Sequence, residues 1–398
     1  MGADAMWPLA ITASSAVSAL GTGVAPLRAA LHARRGGLVR TDFPGGPAGT
    51  WLGQVAGLDI APPPELAGYD CRNNRLAEMA LRSDGFEAAV IQARERHGAD
   101  RVAVILGTST AGIGATERAY AQREPGQTAL TADFDYAHTH DLQALPNYLR
   151  VRLGLRGPAL AVSTACTSGA RAIMQAAVLI AAGVVDAAVA GGVDTLCRLT
   201  LNGFGSLGLL GLGPCRPCAS DRDGVSIGEA AGLLLLERPG SDGATLLLGA
   251  GASSDGHHMS SPHPDGLGAV GAMRAALAAA GLRPDAIDYV NLHGTGTRAN
   301  DAMEDRAVHH LFGDGVPCSS TKGWTGHTLG ASGALEAIIA AICLEDGLVP
   351  GCLGVDVADP EFRSRVATGN LAAPLQRVMS NSFGFGGSNC SLILGRAA

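Results

Sequence analysis

Four stretches of this 398-residue chain carry side chains able to do covalent chemistry. In the first, TACTSGA, Cys166 stands between an apolar, β-rich run and an Ala-rich run. A thiol at a strand-to-helix junction meets the unpaired N–H groups and the positive end of the helix, which favours the thiolate. Free cysteine titrates near about 8.5, and such a setting is expected to lower that toward neutral pH. Ala165, Ser168 and Gly169 leave room for a substrate at the sulfur. Local context alone leaves open a buried structural thiol instead.

The second stretch, HGTGT, puts His293 at the end of an apolar run, where α/β proteins place their sites. The third, TKGWTGHTLGASGALE, brings Lys322 and His327 into a Gly/Thr turn ahead of a helix that carries Glu336. The fourth, NSFGFGGSN, is a Gly-rich turn holding Phe383 and Phe385 between two strands. Its GxGG spacing is weak evidence for phosphate binding and lacks the Lys-Ser/Thr of a P-loop. Each histidine alone reads equally well as a structural residue. One Cys, two His and one Lys, all in Gly-rich turns, form a constellation suited to nucleophilic catalysis.

Elements of two kinds must position these turns. Apolar runs at 102–106, 159–163, 187–190, 245–248, 287–292 and 378–381 read as strands covered on both faces. Ala-rich segments at 170–182, 269–280 and 334–344 read as helices between them, which makes the chain an α/β protein. The more polar residues 115–149 read as an excursion from the layered core. An internal echo is visible: Ser168-Gly169-Ala170 and Ser332-Gly333-Ala334 each open a helix that ends at a glycine, Gly183 or Gly347, fourteen residues after the first. If the echo is a duplication, the chain is two similar halves, 1–242 and 243–398, divided in the linker-like RPGSDGA.

Composition excludes other classes. At 47% apolar residues the chain is no disordered segment, and a net charge of −7 argues against general nucleic-acid binding. No run reaches the ~20 apolar residues a membrane helix needs, so membrane insertion is not expected. The amino-terminal segment superficially resembles a signal peptide, but Asp4 stands where a positive region belongs, and Met6 spoils a myristoylation pattern at Gly2. Nine scattered cysteines suggest reduced thiols and a soluble, cytoplasmic protein. Cys215-x-x-Cys218 has no second pair at zinc spacing, and His257, His258 and His263 read as loop histidines. The basic residues are 28 arginines and one lysine, Lys322.

With these motifs in order, the chain resembles a β-ketoacyl-acyl-carrier-protein synthase of the condensing-enzyme (thiolase-fold) superfamily, over nearly its whole length. The resemblance implies a thiolase-like fold of two α/β halves in an α-β-α-β-α core. It implies a decarboxylative Claisen condensation in fatty-acid or polyketide elongation, with no cofactor beyond carrier-bound phosphopantetheine and no metal. By the same resemblance Cys166 is the nucleophile, and His293 and His327 donate to the malonyl thioester oxygen. The backbone N–H groups of Cys166 and Phe385 form the oxyanion hole. Lys322 and Glu336 pair beside the second histidine, Asp301 and Glu304 support the site, Thr295 and Thr297 hold the pantetheine arm, and Phe383 and Phe385 border the substrate, Phe385 as a gate. Two histidines point to an elongating enzyme.

Arg298 and Cys218 depart from the residues frequent at their positions. YDCRNNRLAEMA (69–80) and DFDYAHTHDLQ (133–143) look like ketosynthases of aryl-polyene pathways. That branch would imply a heterodimer with a chain-length-factor-like subunit in place of a homodimer. A non-catalytic partner subunit and a CoA-dependent thiolase-like or initiating enzyme are the alternatives. Carrier proteins are acidic, so a local arginine patch is expected near the pocket mouth, with Arg150, Arg152 and Arg156 as candidates.

Overall fold

The computed structural model describes residues 8–131, 134–240 and 245–396. The expected boundary at 242/243 and the amino-terminal Gly2, Asp4 and Met6 lie outside them. Ten strands build the core: β1 (Leu9–Ser18), β2 (Val102–Gly107), β3 (Ala159–Val162), β4 (Ala187–Asp194), β5 (Ala230–Glu237), β6 (Thr245–Ser254), β7 (Tyr289–Asn291), β8 (Pro317–Ser319), β9 (Arg377–Gly384) and β10 (Ser388–Arg396).

Two sets of five share one topology. The first runs β1-β5-β4-β2-β3 and the second β6-β10-β9-β7-β8. In each, the last three strands of that order are mutually parallel and the second is antiparallel to both neighbours. The sets join where β1 meets β6, through only Leu9↔Leu247 and Ala10↔Leu246. The repeat of helix, glycine stop and strand order agrees with the echo in the sequence.

Helices α1 (Arg72–Leu81), α2 (Phe86–His97) and α3 (Ala144–Arg152) cover the outer face of the first set. Helix α5 (Leu267–Ala280) covers the second and carries α6 (Arg298–Phe312) beside it. Between the sets lie α4 (Ser168–Ala181) and α7 (Ser332–Asp346), each touching strands of both. Strand residues divide by the period of two: Ala103, Ile105, Ala188, Ala190, Leu234 and Leu236 face the central layer, whereas Val102, Val104, Val189, Leu233 and Leu235 face the outer helices. The run from Ser332 to Leu344 is buried on every side, as a helix enclosed between sheets must be.

The paired SGA motifs explain the central layer. A Cβ on Gly169 would sit 2.8 Å from the Gly330 carbonyl oxygen, and one on Gly333 would sit 2.7 Å from the Ala170 Cβ. Only glycine lets the amino-terminal ends of α4 and α7 meet, and that meeting brings Cys166 and His327 together. Both helices end before a left-handed glycine, Gly183 (φ 70°) and Gly347 (φ 62°). Residues 115–149 are only partly an excursion, because Ala144, Leu145, Tyr148 and Leu149 of α3 are buried in the outer core. No helix among the described residues is long and apolar enough to cross a membrane.

Candidate active site

Strand β3 leads to Cys166 through Ala165, whose φ of 53° is left-handed, a conformation that disfavours alanine. This turn swings the thiol onto the start of α4. There His327 Nε2 lies 2.9 Å from Cys166 Sγ, and the ring's Nδ1 lies 2.9 Å from the Ser332 hydroxyl. His293 stands edge-on to His327 with ring centres 5.3 Å apart, and its buried Nδ1 has no partner among the described residues. The ligand atoms of Cys166, His293 and His327 all lie within 4.8 Å of one another.

Lys322 is fully buried. Its Nζ donates to Glu336 Oε1 and to the His293 carbonyl oxygen, each at 2.5 Å. The lysine is therefore tied by hydrogen bond to the first histidine and acts on the second, His327, through charge. Glu304 accepts from the His293 N–H at 2.8 Å and the Gly294 N–H at 2.7 Å. Asp301 accepts from Thr295 N–H and Cys218 N–H, both at 2.9 Å. The HGTGT turn is thus held by two buried carboxylates projecting from α6, while Thr295 and Thr297 bond each other at 2.8 Å.

The Gly-rich turn completes the floor. A Cβ on Gly384 would lie 3.2 Å from both Cys166 N and Thr164 O, so glycine allows this backbone to approach the nucleophile closely. The N–H groups of Phe385 and Cys166 both face the sulfur and favour its ionised form. The Phe385 ring stacks on Phe204 with centres 5.5 Å apart, and Phe383 lies 6.0 Å from His293. All of these line a cavity of about 340 Å³ that also takes in Thr295, Thr297 and, at its rim, the exposed Arg298.

Burial dominates the electrostatics. It pushes the Cys166 thiol up to about 11, against the opposing pull of Lys322 and of the two N–H groups. The expectation of a thiolate pre-formed by the helix end is overturned, because loss of water at the sulfur outweighs the helix. Burial, with Lys322 second, holds His327 well below its usual range, and the same two effects together with His327 hold His293 there. Both rings are neutral near pH 7 and free to accept or donate. Burial also lifts Glu304 to about 7 and Glu336 to about 6.

Three supporting groups are not among the sequence candidates, and of these only Ser332, in the motif that carries His327, has a local signal. Ser332 holds the outer nitrogen of His327. Asp194, buried at the end of β4, accepts from Thr108, Ser109, Thr110 and the Gly330 N–H, and so locks the turn after His327. Asp255 binds Asn389 at 2.7 Å and anchors the Gly-rich turn. One sequence expectation fails. Arg152 is held by Glu78 and Glu87, and Arg156 by Asp100 at the start of β2, the strand end remote from Cys166; neither they nor Arg150 line the cavity. The Cys215 thiol donates to the Thr295 carbonyl, while the Cys218 thiol pairs with Cys352, so the two do not act as a metal pair.

Comparison with known proteins agrees with this geometry. The β-ketoacyl synthase N-terminal domain profile matches residues 74–240, and its C-terminal domain profile matches residues 244–356. The 3-oxoacyl-[acyl-carrier-protein] synthase 2 of Rhizobium meliloti is 37% identical over 341 residues, spanning 80% of this chain and 79% of that protein. The enzyme of the same name from Vibrio cholerae is 36% identical, spanning 83% and 87%. Among solved structures, the Xenorhabdus doucetiae ketosynthase ApeO, in complex with its chain length factor ApeC, superposes with a TM-score of 0.90 at 39% identity over 100% of both chains. The ishigamide ketosynthase/chain length factor gives 0.87 at 27% identity, over 98% of this chain and 99% of that one. The two profiles together match well over half of the chain, and relatives above 30% identity span four fifths of it; the chain belongs to the β-ketoacyl synthase family, with its thiolase-like fold.

Proposed function

We propose that this chain condenses an acyl group, held as a thioester on Cys166, with a malonyl thioester, both delivered by acyl carrier protein. The observation that carries the reading is the contact of Cys166 with a neutral His327 at the base of a cavity also lined by His293 and the Thr295–Thr297 pair.

Acylation begins with transfer of the thiol proton to His327 Nε2. The sulfur attacks the incoming thioester carbonyl, whose oxygen sits on the N–H groups of Cys166 and Phe385, and the carrier thiol leaves with a proton. The Ser332 hydroxyl can accept from or donate to Nδ1 and therefore supports either tautomer of His327. With the proton on Nε2, His327 joins His293 in donating to the malonyl thioester oxygen. The malonyl carboxylate leaves as carbon dioxide, its bonding pair forming an enolate. Donors aimed at developing charge contribute roughly 10²–10³ each in rate. The enolate carbon attacks the Cys166 thioester; sulfur departs, takes up a proton, and the product is a β-ketoacyl chain two carbons longer. Lys322, Glu336, Asp301 and Glu304 act as positioning residues, and Phe383 and Phe385 border the acyl chain.

The full-length likeness to a ketosynthase solved with its chain length factor favours the aryl-polyene branch and a heterodimer. Strand β3 lies at the free edge of the sheet with Leu160 exposed, which suits pairing with a second chain. The matching strand orders support division of the chain into halves 1–242 and 243–398. Nine free cysteines fit work in the reducing cytoplasm. The test is carbon dioxide release and product formation from acyl- and malonyl-carrier protein. Turnover that survives Cys166→Ala, or that requires coenzyme A thioesters instead, would overturn the reading.

A further inference from the structure

Cys166, His293 and His327 have the donor atoms for a second kind of chemistry. They are the one trio of cysteine, histidine or carboxylate side chains, among the described residues, whose ligand atoms all lie within 4.8 Å of one another. All three are buried, so little water competes for those atoms. The loop histidines His257 and His263 also meet, with ring centres 5.0 Å apart, but bring no third ligand.

One thiolate, two imidazoles and an open fourth position are a donor set that suits tetrahedral zinc. Zn–S bonds of about 2.3 Å and Zn–N bonds of about 2.0–2.1 Å set the ligand atoms roughly 3.4–3.6 Å apart. Cys166 Sγ and His327 Nε2, now 2.9 Å apart, must then separate by about 0.7 Å, and His293 must approach by at most about 1.3 Å. The surroundings orient such ligands. Ser332 Oγ lies 2.9 Å from His327 Nδ1, so the ring proton can stay on Nδ1 and leave the Nε2 lone pair toward the sulfur. Glu304 holds the His293 backbone N–H at 2.8 Å, and the buried Nδ1 of that ring has no partner among the described residues. The positive charge of Lys322 is offset by Glu336, so the pair does not by itself repel a cation. The cavity of about 340 Å³ leaves the fourth position open to water.

We propose that the unacylated enzyme binds one thiophilic divalent cation, zinc by its ligand chemistry, on Cys166, His293 and His327, and that this cation and the acyl group exclude each other at the sulfur. The site rests on geometry alone; the exclusion rests on the condensing function given above. On binding, the S–H bond breaks, a sulfur–metal bond forms and the proton leaves to solvent, with no change of oxidation state. The two lone pairs that acylation needs, on the sulfur and on His327 Nε2, are then both engaged, and the metal form is inert toward thioesters. An acylated Cys166 has no thiolate to offer. Only two imidazoles remain, which confines the cation to the free enzyme. A metal held here is an inhibitor and not a cofactor.

The experiment titrates the metal-free, full-length protein with cobalt(II) as an optical probe and then with zinc(II). Three samples are compared: wild type, Cys166→Ala, and wild type already acylated on Cys166. The proposal predicts that wild type takes up a single equivalent of cobalt with a sulfur-to-metal charge-transfer band, which a single equivalent of zinc removes. Cys166→Ala and the acylated protein should show no such band. Free zinc at about ten times its Kd should slow acylation from an acyl-carrier protein about tenfold by mass action, and a chelator should restore it. Zinc added after acylation should leave discharge by malonyl-carrier protein unchanged. The same band in Cys166→Ala would overturn the proposal by placing the cation on other cysteines. So would a wild type that binds no cobalt, or one that keeps the band once acylated. A wild type that shows the band but is never acylated by carrier donors would support the site and overturn the condensing function.

Discussion

His327 Nε2 lies 2.9 Å from the sulfur of Cys166, although the two residues come from different halves of the chain. The thiol is held up at about 11 by burial, and the imidazole is kept neutral by burial and by Lys322. A protonated thiol facing an unprotonated base explains how the site stays inert until a thioester arrives.

That pairing separates the two histidines. His293→Ala should abolish decarboxylation while Cys166 still acylates, because among the described residues the sulfur's hydrogen-bonding imidazole is His327 and not His293. His327→Ala should slow both steps, each by roughly 10²–10³. Single-turnover acylation, with carbon dioxide release measured in parallel, checks the split; equal loss of acylation in both variants would contradict it.

Lys322 has no room for a larger head, since its fully buried Nζ already bonds Glu336 and the His293 carbonyl. Lys322→Arg should retain the fold but lose at least about a hundredfold in condensation, as expected for displaced donors at developing charge. Lys322→Met leaves Glu336 buried and unpaired, at a cost of about 3–5 kcal/mol. Lys322→Met/Glu336→Gln should recover much of that stability and none of the activity. Thermal melts beside turnover assays distinguish these cases; near wild-type turnover of Lys322→Arg would refute the assignment.

Gly107 ends β2 against the first turn of α4, and a Cβ there would sit 2.3 Å from Ser168 C and 2.4 Å from Gly169 N. Gly107→Ala should therefore cost about 1–3 kcal/mol by overpacking and slow acylation by shifting Cys166. Gly114→Ala, where a Cβ meets nothing within 4 Å, is the control and should melt like wild type.

Stability should fall as pH rises through the titration of Glu304. Its folded carboxyl is raised to about 7 by burial, whereas an unfolded glutamate titrates near about 4.3. The folded state binds the proton more tightly, so this stabilisation is complete below about pH 4.3 and is lost as pH climbs through about 7. The urea midpoint of the wild type should decline between pH 5 and pH 8 more than that of Glu304→Gln. A smaller decline in the wild type would contradict the assignment.

The site was legible in the sequence where its signals are local. Cys166, His293, Lys322 and His327 each sit in a Gly-rich turn beside an apolar run, so strand ends and helix starts reveal them without tertiary knowledge. Asp194 and Asp255 were not legible, since each acts on residues brought near only by folding; Ser332, five residues after His327 in the same motif, was read only as the start of a helix. The raised Cys166 thiol was missed for a related reason: the helix end is a local feature, but burial belongs to the whole core. Arg152 and Arg156 were misplaced because a run of arginines does not show which carboxylates will neutralise them, and Arg150 because the run does not show which residues reach the cavity. In the fold, Pro284 turns the chain ahead of β7 and shortens it, whereas β6 runs on to Ser254 because β10 offers partners along its full length.

The central claim is that Cys166 carries the acyl group. Intact-mass measurement of the wild type and Cys166→Ala, offered acyl-carrier protein and then malonyl-carrier protein, tests it most directly. The account predicts that the wild type gains the mass of one acyl group and loses it when malonyl-carrier protein is added, while Cys166→Ala gains nothing. An acyl adduct on Cys166→Ala, or a wild-type adduct that malonyl-carrier protein does not discharge, would contradict it.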